Sequence, residues 1–493
     1  MDLPKAFTEY MKRLLGEEAY GKLELGLTDE PQVSIRLNEC KLASFGSKCS
    51  KPESADASVP WCRNGYYLKD RPSFTFDPLL HAGAYYVQEA GSMFLEQAFH
   101  ALSSDAGFQE PLMALDLCAA PGGKSTHLRS LLPEDSFLIS NEPMRQRAQV
   151  LSENMMKWGD PSCMVTNGYP ADFSALEHLF DIVVADVPCS GEGMFRKDEG
   201  AIADWSPENV ELCWKRQRSI IADIWPALKP GGYLIYSTCT FNAFEDEDNV
   251  DWIAHELGAD LIPVPCAKEW GVQGDLTGRG LPVYHFLPGW TRGEGFFLAV
   301  LRKHGQREEA EDGWRACLPR KVVKKGKSDK KDKNNKNKGK SEISSSELTS
   351  LSGWLSGNDW EWLTEDTLIS AVPKEWADAC RAVKECLTVM HCGVPVAELK
   401  GRDWVPCHGL ALSRICNQES FPRVALSYEQ AVAYLRKEAL VLPMDTPKGF
   451  VLVTYRNFPL GFAKQIGNRA NNLYPDAWRI RSGYVTPCEV LIP

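Results

Sequence analysis

Two cysteines of this chain follow apolar runs in similar surroundings. Cys189 follows the run in "DIVVADVPCSGEG", and Cys239 follows the run in "GGYLIYSTCT", just ahead of several acidic residues. A single cysteine at the end of a buried strand is often a small, inert hydrophobic residue. Two cysteines in matching positions favour a shared chemical role, because the carboxyl ends of parallel strands open onto one crevice.

A pair of thiols suits the modification of a pyrimidine ring. Carbon C5 of a pyrimidine is a poor nucleophile until a thiolate adds to C6 and makes C5 resemble an enamine carbon. One cysteine can provide this covalent step, and a second group can help to resolve the adduct. A free thiol has a pKa of about 8.5, so nearby positive charge must favour the thiolate. Lys124, Arg196 and Lys197 are the candidate sources of that charge.

A glycine loop indicates where a methyl donor can bind. The segment "PLMALDLCAAPGGKSTHLRSLL" is typical of a strand, a turn that contains Gly122 and Gly123, and a helix. Glycines allow the backbone to approach a ligand closely, and the start of a helix offers free N–H groups. The pattern is neither G-x-G-x-x-G nor a P-loop, so it requires no nucleotide phosphate. A plain turn between strand and helix is the alternative interpretation.

Acidic residues stand at the ends of two further predicted strands. "SFLISNE" ends on Glu142, 26 residues after Asp116, where a carboxylate can accept hydrogen bonds from both hydroxyls of a ribose. "DIVVADV" carries Asp186 near its carboxyl end, where open α/β sheets bind ligands, although an aspartate there can also cap a helix. A glycine loop and a ribose-binding acid without a phosphate site predict S-adenosylmethionine as the cofactor.

The elements around these motifs predict an α/β protein. Strand-like runs alternate with helical stretches over residues 106–305, which we interpret as a Rossmann-like catalytic domain. Residues 1–105 mix helical patterns with turns and form a separate N-terminal segment. Residues 351–493 contain short β-rich runs, so we expect an additional α+β domain there, joined by a flexible linker at 306–350.

The predicted linker holds a dense positive charge. Residues 321–340 contain ten lysines and two aspartates, a net charge of +8, so the rest of the chain carries −19 within a total of −11. Such a segment cannot build a core and is expected to be a solvated linker. A basic tether near RNA phosphate is compatible with the same composition. The net charge of the whole chain by itself speaks against a nucleic-acid binder.

Cysteine usage and hydropathy set the expected environment. The 16 cysteines include no C-x-x-C pair, which argues against zinc ribbons and redox motifs, and we expect no metal site. A disulfide framework is unexpected in a chain of 493 residues without an export signal. No apolar run reaches membrane-spanning length. We therefore expect a cytoplasmic protein with reduced thiols.

These motifs together resemble a known family. "LDLCAAPGGKSTHL", "NEP", "DVPCSGEGMFRKD" and "YSTCTFNAFEDE" are similar to the signature of the Sun/RsmF/YebU-type RNA 5-methylcytosine methyltransferases. "SIRLN", "HAGAYYVQEAGSMFL" and the tail "LGFAKQIGNRANNLYPDAWRIR" resemble the RsmF branch, so the resemblance covers most of the chain except the lysine tract. It implies methyl transfer from S-adenosylmethionine to C5 of a cytosine in RNA, with 16S ribosomal RNA as the expected target.

The resemblance also implies roles for individual residues. Cys239 becomes the nucleophile and Cys189 the residue that assists product release, with Asp186 near both the donor and the cytosine. Glu142 and the glycine loop are implied to bind the donor. The loop residues are Cys118, Ala119, Ala120, Pro121, Gly122, Gly123 and Lys124. Where the family often has an aspartate after the third strand, "MVTNGYP" offers Asn167, whose carbonyl can still accept a hydrogen bond from the adenine amine.

RNA recognition is expected at both flanks of the catalytic domain. The target cytosine must be flipped or unpaired to expose C6, and single-stranded RNA is usually held by aromatic stacking and by arginines. The tail resembles a PUA-like RNA-binding domain, although a β-rich core with a polar rim is the plain alternative. The predicted RNA contacts are Arg469, Asn471, Asn472, Trp478, Arg479 and Arg481. The upstream segment "AGAYYVQEAGSM" is expected to pack as a helix rather than to contact RNA.

Several alternatives remain at this point. A transfer RNA target would use the same chemistry, and an inactive RNA-binding assembly factor would keep the fold without it. Methylation of cytosine in DNA is disfavoured, because those enzymes place the nucleophile in the proline–cysteine motif and lack the second cysteine motif. We expect a monomer whose partner is RNA in the small subunit or an assembly intermediate, with no membrane association.

Overall fold

The computed structural model describes residues 1–108, 110–306, 311–319, 343–483 and 491. The lysine tract and its predicted flexibility lie outside the described residues. None of the helices in the described part of the chain combines the length and the apolarity needed to span a bilayer.

The N-terminal region combines helices with a small antiparallel sheet. Its helices are α1 (Lys5–Leu15), α2 (Glu17–Thr28), α3 (Glu39–Ser44), α4 (Pro78–His81) and α5 (Leu95–Ala106). Its strands are β1 (Ser34–Leu37), β2 (Ala55–Ser58), β3 (Gly65–Leu68) and β4 (Tyr85–Val87). They pair in the order β2-β3-β1-β4, each antiparallel to its neighbours.

The segment "AGAYYVQEAGSM" forms a strand and a tight turn, so the helix predicted there is wrong. Residues Tyr85–Val87 pair with β1, and a 3₁₀ helix follows at Gly91–Phe94. Aromatic and β-branched residues such as those of "YYV" fit a pleated sheet better than a helix. The segment therefore runs extended past the glycine loop instead of packing as a helix.

The central region forms a mixed α/β sheet. Its strands are β5 (Met113–Asp116), β6 (Phe137–Asn141), β7 (Cys163–Asn167), β8 (Phe180–Asp186), β9 (Leu228–Thr238), β10 (Ala259–Leu261), β11 (Tyr284–Phe286) and β12 (Phe296–Lys303). Its helices are α6 (Gly123–Leu131), α7 (Arg145–Trp158), α8 (Glu199–Asp204), α9 (Pro207–Ile224) and α10 (Glu247–Glu256). Buried residues fill both faces of the sheet. Leu115 packs with α9 and α10 on one face, whereas its neighbour Ala114 packs with α6 and α7 on the other.

The strand order creates a crevice at one edge of this sheet. Strands β9, β8, β5, β6 and β7 lie side by side and run parallel, whereas β12 is antiparallel to β9. The chain leaves β5 toward β6 on one side and later returns to β8 on the other side. Ligands of open α/β sheets bind at such a reversal of strand order, outside the carboxyl ends of the strands.

The C-terminal region adds two further sheets. Its helices are α11 (Ser345–Ser352), α12 (Ala377–Cys386), α13 (His408–Leu412) and α14 (Tyr428–Leu435). Its strands are β13 (Trp360–Glu365), β14 (Leu368–Pro373), β15 (Thr388–Cys392), β16 (Val394–Lys400), β17 (Asp403–Pro406), β18 (Arg423–Ala425), β19 (Gly449–Tyr455), β20 (Phe458–Gln465) and β21 (Ala470–Asn472). The two sheets have the orders β13-β14-β16-β17 and β18-β19-β20-β21.

The three regions share sheet and core. Strand β15 pairs antiparallel with β7 and so extends the central sheet, and one hydrophobic cluster joins Ile35 and Tyr85 to Val451 and Phe458. Within the predicted linker, a 3₁₀ helix at Gly313–Cys317 buries Trp314, and α11 begins at Ser345. The domain boundaries at 105, 305 and 350 stay predictions.

Candidate functional site

A cavity of about 330 Å³ opens at the carboxyl ends of β5, β8 and β9. The glycine loop forms one wall of the cavity, and the extended segment after β4 forms another. The lining includes Tyr86, Gln88, Glu89, Asp116, Cys118, Ala119, Ala120, Pro121, Gly123, Lys124, Asp186, Met194, Lys197, Cys239, Glu294 and Phe296. Most of the residues proposed for the donor loop therefore share one cavity with Asp186 and Cys239.

The two predicted cysteines meet beside this cavity, and Cys239 is the one that lines it. The Sγ atoms of Cys189 and Cys239 lie 3.0 Å apart, and the backbone N–H of Cys239 donates to Cys189 Sγ at 3.3 Å. Both side chains are half-buried. The hydrogen bond to Cys239, together with burial, raises the pKa of the Cys189 thiol well above its ordinary value. The Cys189 thiol therefore keeps its proton at neutral pH.

Two buried glutamates connect the loops that carry the cysteines. Glu192, which follows Cys189, accepts hydrogen bonds from the Thr240 hydroxyl at 2.6 Å and from the Phe241 N–H at 2.7 Å. Glu245 accepts a hydrogen bond from the Ser190 N–H at 3.0 Å in the opposite direction. Each loop thus supplies a carboxylate to the other. These contacts keep the two thiols together.

The same glutamates were missed as functional residues by sequence reasoning. The Asn242 amide donates to Glu192 at 3.1 Å and to Glu245 at 2.8 Å, and neither carboxyl is exposed to solvent. Burial raises the pKa of Glu192, and it raises the pKa of Glu245 to about 7. Acidic residues are rarely fully buried, so nothing in the sequence indicated that these two carboxyls lie inside the protein. The position of the acidic run directly after the strand-end Cys239 was the available signal.

Lys124 lines the cavity and forms an ion pair with Asp186, another residue of the lining. Its ammonium lies 2.8 Å from the Asp186 carboxylate, and Asp186 also accepts a hydrogen bond from the Ser237 hydroxyl at 2.8 Å. Burial alone would lower the pKa of Lys124, but its neighbours, Asp186 foremost, together outweigh burial and raise it. The remaining candidates, Arg196 and Lys197, are paired with Glu294 at 2.8 and 3.2 Å. Because its pKa is raised, Lys124 is charged at neutral pH.

The glycine loop is held in a conformation that favours glycine at one position. Gly122 has a φ of 115°, and a Cβ there would lie 3.2 Å from the Leu151 side chain. Arg147 donates to the Ala120 carbonyl at 2.9 Å, and Asn154 donates to the Pro121 carbonyl at 2.8 Å. The loop is thereby fixed against α7, with Gly123 at the cavity wall.

Asp116 at the end of β5 is a further acid of the cavity. Its Oδ2 accepts a hydrogen bond from the Ser125 hydroxyl at 2.6 Å, whereas its buried Oδ1 has no hydrogen-bond partner among the described residues. Burial raises the pKa of this carboxyl to about 7. A buried, unpartnered carboxylate oxygen beside a cavity is suited to a cationic ligand. No role was predicted for Asp116 from the sequence, in which it ends the first apolar run.

Glu142 and Asn167 lie together on the far side of the crevice. Glu142 is buried and accepts a hydrogen bond from the Met144 N–H at 2.9 Å. The Asn167 amide donates to the carbonyl oxygens of Glu142 and Pro143 at 2.8 and 2.9 Å. The side-chain nitrogen of Asn167 is therefore bound to backbone carbonyl oxygens, and its side-chain oxygen is the atom that would accept a hydrogen bond from the adenine amine. Neither residue lines the 330 Å³ cavity, so their donor contacts stay predictions.

The segment after β4 supplies residues that sequence reasoning assigned elsewhere. Glu89 lines the cavity and accepts hydrogen bonds from the N–H groups of Gly91, Ser92 and Glu294 at 2.9, 2.8 and 3.1 Å. Burial raises the pKa of Glu89. This segment is part of the family resemblance, but it was predicted to be a helix. No contact with the cavity was therefore predicted for Glu89.

The predicted RNA contacts of the tail fall into two groups. Asn472 donates to the carbonyl oxygens of Tyr434 and Glu438 at 2.8 and 3.0 Å, and the half-buried Trp478 packs edge-to-face on His408 at 5.0 Å. Both residues serve internal packing in this structure. The exposed members are Arg469, Asn471, Arg479 and Arg481. RNA contact by either group stays a prediction.

A cluster of possible metal ligands lies outside the crevice, although no metal site was expected from the sequence. Donor atoms of Cys62, Glu96 and His127 lie within 4.8 Å of one another and are buried, a set able to hold a metal ion. The absence of a metal site therefore also stays a prediction.

Family models match three parts of the chain. The model described as 16S rRNA methyltransferase RsmB/F matches residues 108–302. The N-terminal domain of 16S rRNA methyltransferase RsmF matches residues 3–90, and the methyltransferase RsmF PUA domain matches residues 421–480. The predicted fold class, a Rossmann-like methyltransferase with an N-terminal segment and a PUA-like C-terminal domain, is confirmed.

Individual proteins match nearly the whole chain. Ribosomal RNA small subunit methyltransferase F of Citrobacter koseri is 30% identical over 90% of this chain and 89% of its own length. The protein of the same name from Aliivibrio fischeri is 30% identical over 90% of both. The solved structure of NSun6 from Pyrococcus horikoshii with SFG shares the fold at a TM-score of 0.50, with 20% identity over 62% of this chain and 99% of that chain. The chain belongs to the ribosomal RNA small subunit methyltransferase F family.

Proposed function

We propose that this chain transfers a methyl group from S-adenosylmethionine to C5 of a cytosine in 16S ribosomal RNA, through a covalent bond between Cys239 and C6. Family membership makes it an RNA methyltransferase. The observation that carries the finer proposal is the pair of thiols, 3.0 Å apart, at a cavity that also holds Lys124 and Asp186. Two neighbouring thiols suit attack at C6 of a pyrimidine, because one can form the covalent bond and the other can help to resolve the adduct.

The cavity fits the donor that the family uses. S-adenosylmethionine is the methyl donor of the family, and it carries positive charge on its sulfur and on its amino group. Asp116, Asp186 and Glu89 give the cavity acidic groups, and Asp116 Oδ1 is unpartnered among the described residues. We infer that Asp116 and the glycine loop hold the amino-acid part, while Glu142 and Asn167 serve the ribose and the adenine. When bound, the donor supplies an electrophilic methyl group.

Cys239 is the residue that forms the bond to the base. It lines the cavity, as does the ammonium of Lys124, and a neighbouring cation is the usual means of activating a cysteine nucleophile. The sulfur forms a bond to C6, and the electron pair of the C5–C6 double bond becomes available at C5 for methylation. Asp186 keeps Lys124 in place through their 2.8 Å ion pair. We infer that Asp186, which lines the same cavity, also lies near the cytosine ring.

Cys189 is placed to help the adduct break down. After methylation, C5 loses its proton to solvent, the C5–C6 double bond returns, and the sulfur of Cys239 departs as a thiolate. The Cys189 thiol, held protonated by its contact with Cys239 and by burial, can donate a hydrogen bond to that leaving sulfur. Donation to the leaving thiolate lowers the cost of breaking the S–C6 bond.

Methylation of an unmodified transcript of 16S ribosomal RNA, alone and in small subunits, tests the proposal. Bisulfite sequencing should show new 5-methylcytosine with the wild-type chain and none with Cys239→Ala. Cys40→Ala removes an exposed cysteine away from the pair and serves as the control. Methylation of transfer RNA only, a methyl group on another atom, or an active Cys239→Ala chain would each contradict the proposal. Binding of RNA without any methylation would indicate an inactive assembly factor.

A further inference from the structure

A second cavity, of about 450 Å³, lies next to the loop that follows Cys239. It is bounded by α1 and by the start of α9, and its lining includes Tyr10, Trp205, Trp214, Asn242 and Phe244. Its size falls within the range of about 300–1,000 Å³ that is usual for small-ligand pockets. None of the sequence predictions assigned a role to this cavity.

The cavity and the nucleophile are joined by one short, fixed loop. Asn242 and Phe244 follow Cys239 by three and five positions. The Asn242 amide is bound to Glu192 and Glu245, and the Tyr10 hydroxyl accepts a hydrogen bond from the Ala243 N–H at 3.0 Å. A ligand in this cavity is therefore held at a constant distance from the Cys239 sulfur.

Aromatic rings form the usable surface of this cavity. The rings of Tyr10 and Phe244 are stacked, with centroids 5.6 Å apart and planes at 28°, and Phe244 is 47% exposed. The Trp214 ring carries the Arg218 guanidinium at 4.4 Å. Phe244 is exposed and Tyr10 and Trp214 are half-buried, so a planar ligand can cover the free surfaces of these rings. Such rings are the usual platforms on which unpaired nucleic-acid bases stack.

The charges of the lining favour a base over a phosphate. Glu9 and Glu211 line the cavity, and they pair with Lys5 and Lys215 at 3.6 and 2.5 Å. Two carboxylates disfavour an anion inside. Arg13, also in the lining, makes no ion pair with any side chain that the structure describes, so it can bind the phosphate of a nucleotide whose base enters.

We propose that this cavity binds the base of a nucleotide next to the methylated cytosine. The proposal rests on the proposed function, because it needs an RNA target at Cys239. Turning the cytosine out of its stack leaves its neighbours unstacked, and stacking one of them on Tyr10, Trp214 and Phe244 offsets that loss. The Asn242 amide is occupied by internal hydrogen bonds. Asn242 is therefore not free to read the edge of the bound base.

Steady-state kinetics with Trp214 variants form the first test. Trp214→Ala should raise the KM for small subunits or 16S ribosomal RNA on the order of tenfold, as expected for one lost base-stacking platform, with kcat little changed. Trp214→Phe should keep most of the affinity. Trp252→Ala is the matched control, because the Trp252 ring also contacts Arg218, at 5.2 Å, but does not line the cavity. An unchanged KM in Trp214→Ala would overturn the proposal.

Photocrosslinking keeps the proposal testable if Trp214→Ala does not fold. A photoreactive benzoylphenylalanine in place of Phe244 should crosslink to a nucleotide within about two positions of the one that carries the new methyl group. Positions are counted from that nucleotide whatever atom is methylated, so failure of the C5 chemistry and failure of the cavity proposal give different results. Crosslinks to a ribosomal protein, to a distant part of the RNA, or to nothing would overturn the proposal.

Discussion

Cys189 and Cys239 are 50 positions apart in the chain, yet their sulfur atoms are 3.0 Å apart. Strands β8 and β9 are parallel neighbours with Asp186 opposite Ser237, so the loops that follow them leave the sheet side by side. The carboxylates of Glu192 and Glu245 then tie the two loops together. The distance between the thiols is thus a consequence of strand register and of two buried acids.

The pH dependence of donor binding should report Asp116. Its pKa is raised to about 7 by burial, so the carboxyl is neutral below that pH and ionised above it. A cationic donor favours the ionised form, and its affinity should therefore rise with pH and approach a constant value above pH 7. Below pH 7 the loss should approach about tenfold per pH unit for a single linked proton. Calorimetry between pH 5.5 and 8.5 measures this profile.

Asp116→Asn supplies the control for that profile. The variant should bind the donor weakly and with little dependence on pH, because an amide cannot ionise. A donor analogue without the amino group should bind both chains alike. A wild-type profile that persists in Asp116→Asn would assign the titration to another group.

Glu142→Ala should weaken S-adenosylmethionine binding by roughly 1.5–3 kcal/mol, the range for a hydrogen bond to a charged group. Glu142 also accepts a hydrogen bond from the Met144 N–H at 2.9 Å, so the variant should lose about 0.5–1.5 kcal/mol of stability as well. Calorimetry and thermal unfolding separate the two effects. Glu142→Gln keeps a neutral acceptor and should lie between the wild type and Glu142→Ala. An unchanged dissociation constant would remove Glu142 from the donor site.

The sequence predicted the catalytic sheet better than its surroundings. The strands that end near Asp116, Glu142, Asp186 and Cys239 were recognisable, because each is a short apolar run followed by a turn. The pairing of β15 with β7 was not predictable, since residues so far apart in the chain leave no local pattern. The segment 82–93 was predicted as a helix, but its Tyr-Tyr-Val run pairs with β1 as a strand, a pairing with residues about 50 positions away that no local pattern shows.

The residues of the candidate site were likewise predicted only in part from the sequence. The cysteines and the glycine loop were found because their residue types are unusual at strand ends. Glu192 and Glu245 were missed because burial of a carboxylate depends on donors from another loop, which become visible only after folding. Conversely, Asn472 and Trp478 have the composition of an RNA contact, but in this structure they hold the C-terminal region together.

Removal of the exposed arginines of the tail should weaken RNA binding and reduce its dependence on salt. Replacing Arg469, Arg479 and Arg481 together with glutamine removes up to three phosphate contacts. Each contact with single-stranded RNA contributes about 0.7 to the slope of log K against log salt concentration. Donor affinity should stay unchanged. Filter binding to 16S ribosomal RNA at several salt concentrations measures the slope.

A charge-matched triple variant makes this prediction specific. Arg315, Arg381 and Lys384 are cations of the same number that form ion pairs with neighbouring acids, and their replacement with glutamine should change the salt slope less. If the tail variant keeps both affinity and slope, or if the control loses as much, the C-terminal domain does not bind RNA through these arginines.

Unequal roles of the two cysteines should appear on a denaturing gel. Cys189→Ala retains the proposed nucleophile Cys239 but lacks the thiol proposed to donate to the leaving sulfur, so the adduct should form and resolve slowly. Protein and RNA should then migrate as one slow band without any mechanism-based inhibitor. Cys239→Ala lacks the sulfur that bonds to C6, so both methylation and the slow band should be absent.

The variant that accumulates the slow band shows which of the two cysteines is the nucleophile. If Cys189 were the nucleophile, as in the proline–cysteine motif of the DNA enzymes, Cys239→Ala would accumulate the adduct and Cys189→Ala would form none. The structure favours Cys239, because it lines the cavity beside Lys124 whereas the pKa of Cys189 is raised by its hydrogen bond to Cys239 and by burial. The double variant should give no band under either assignment, which excludes trapping through a third cysteine.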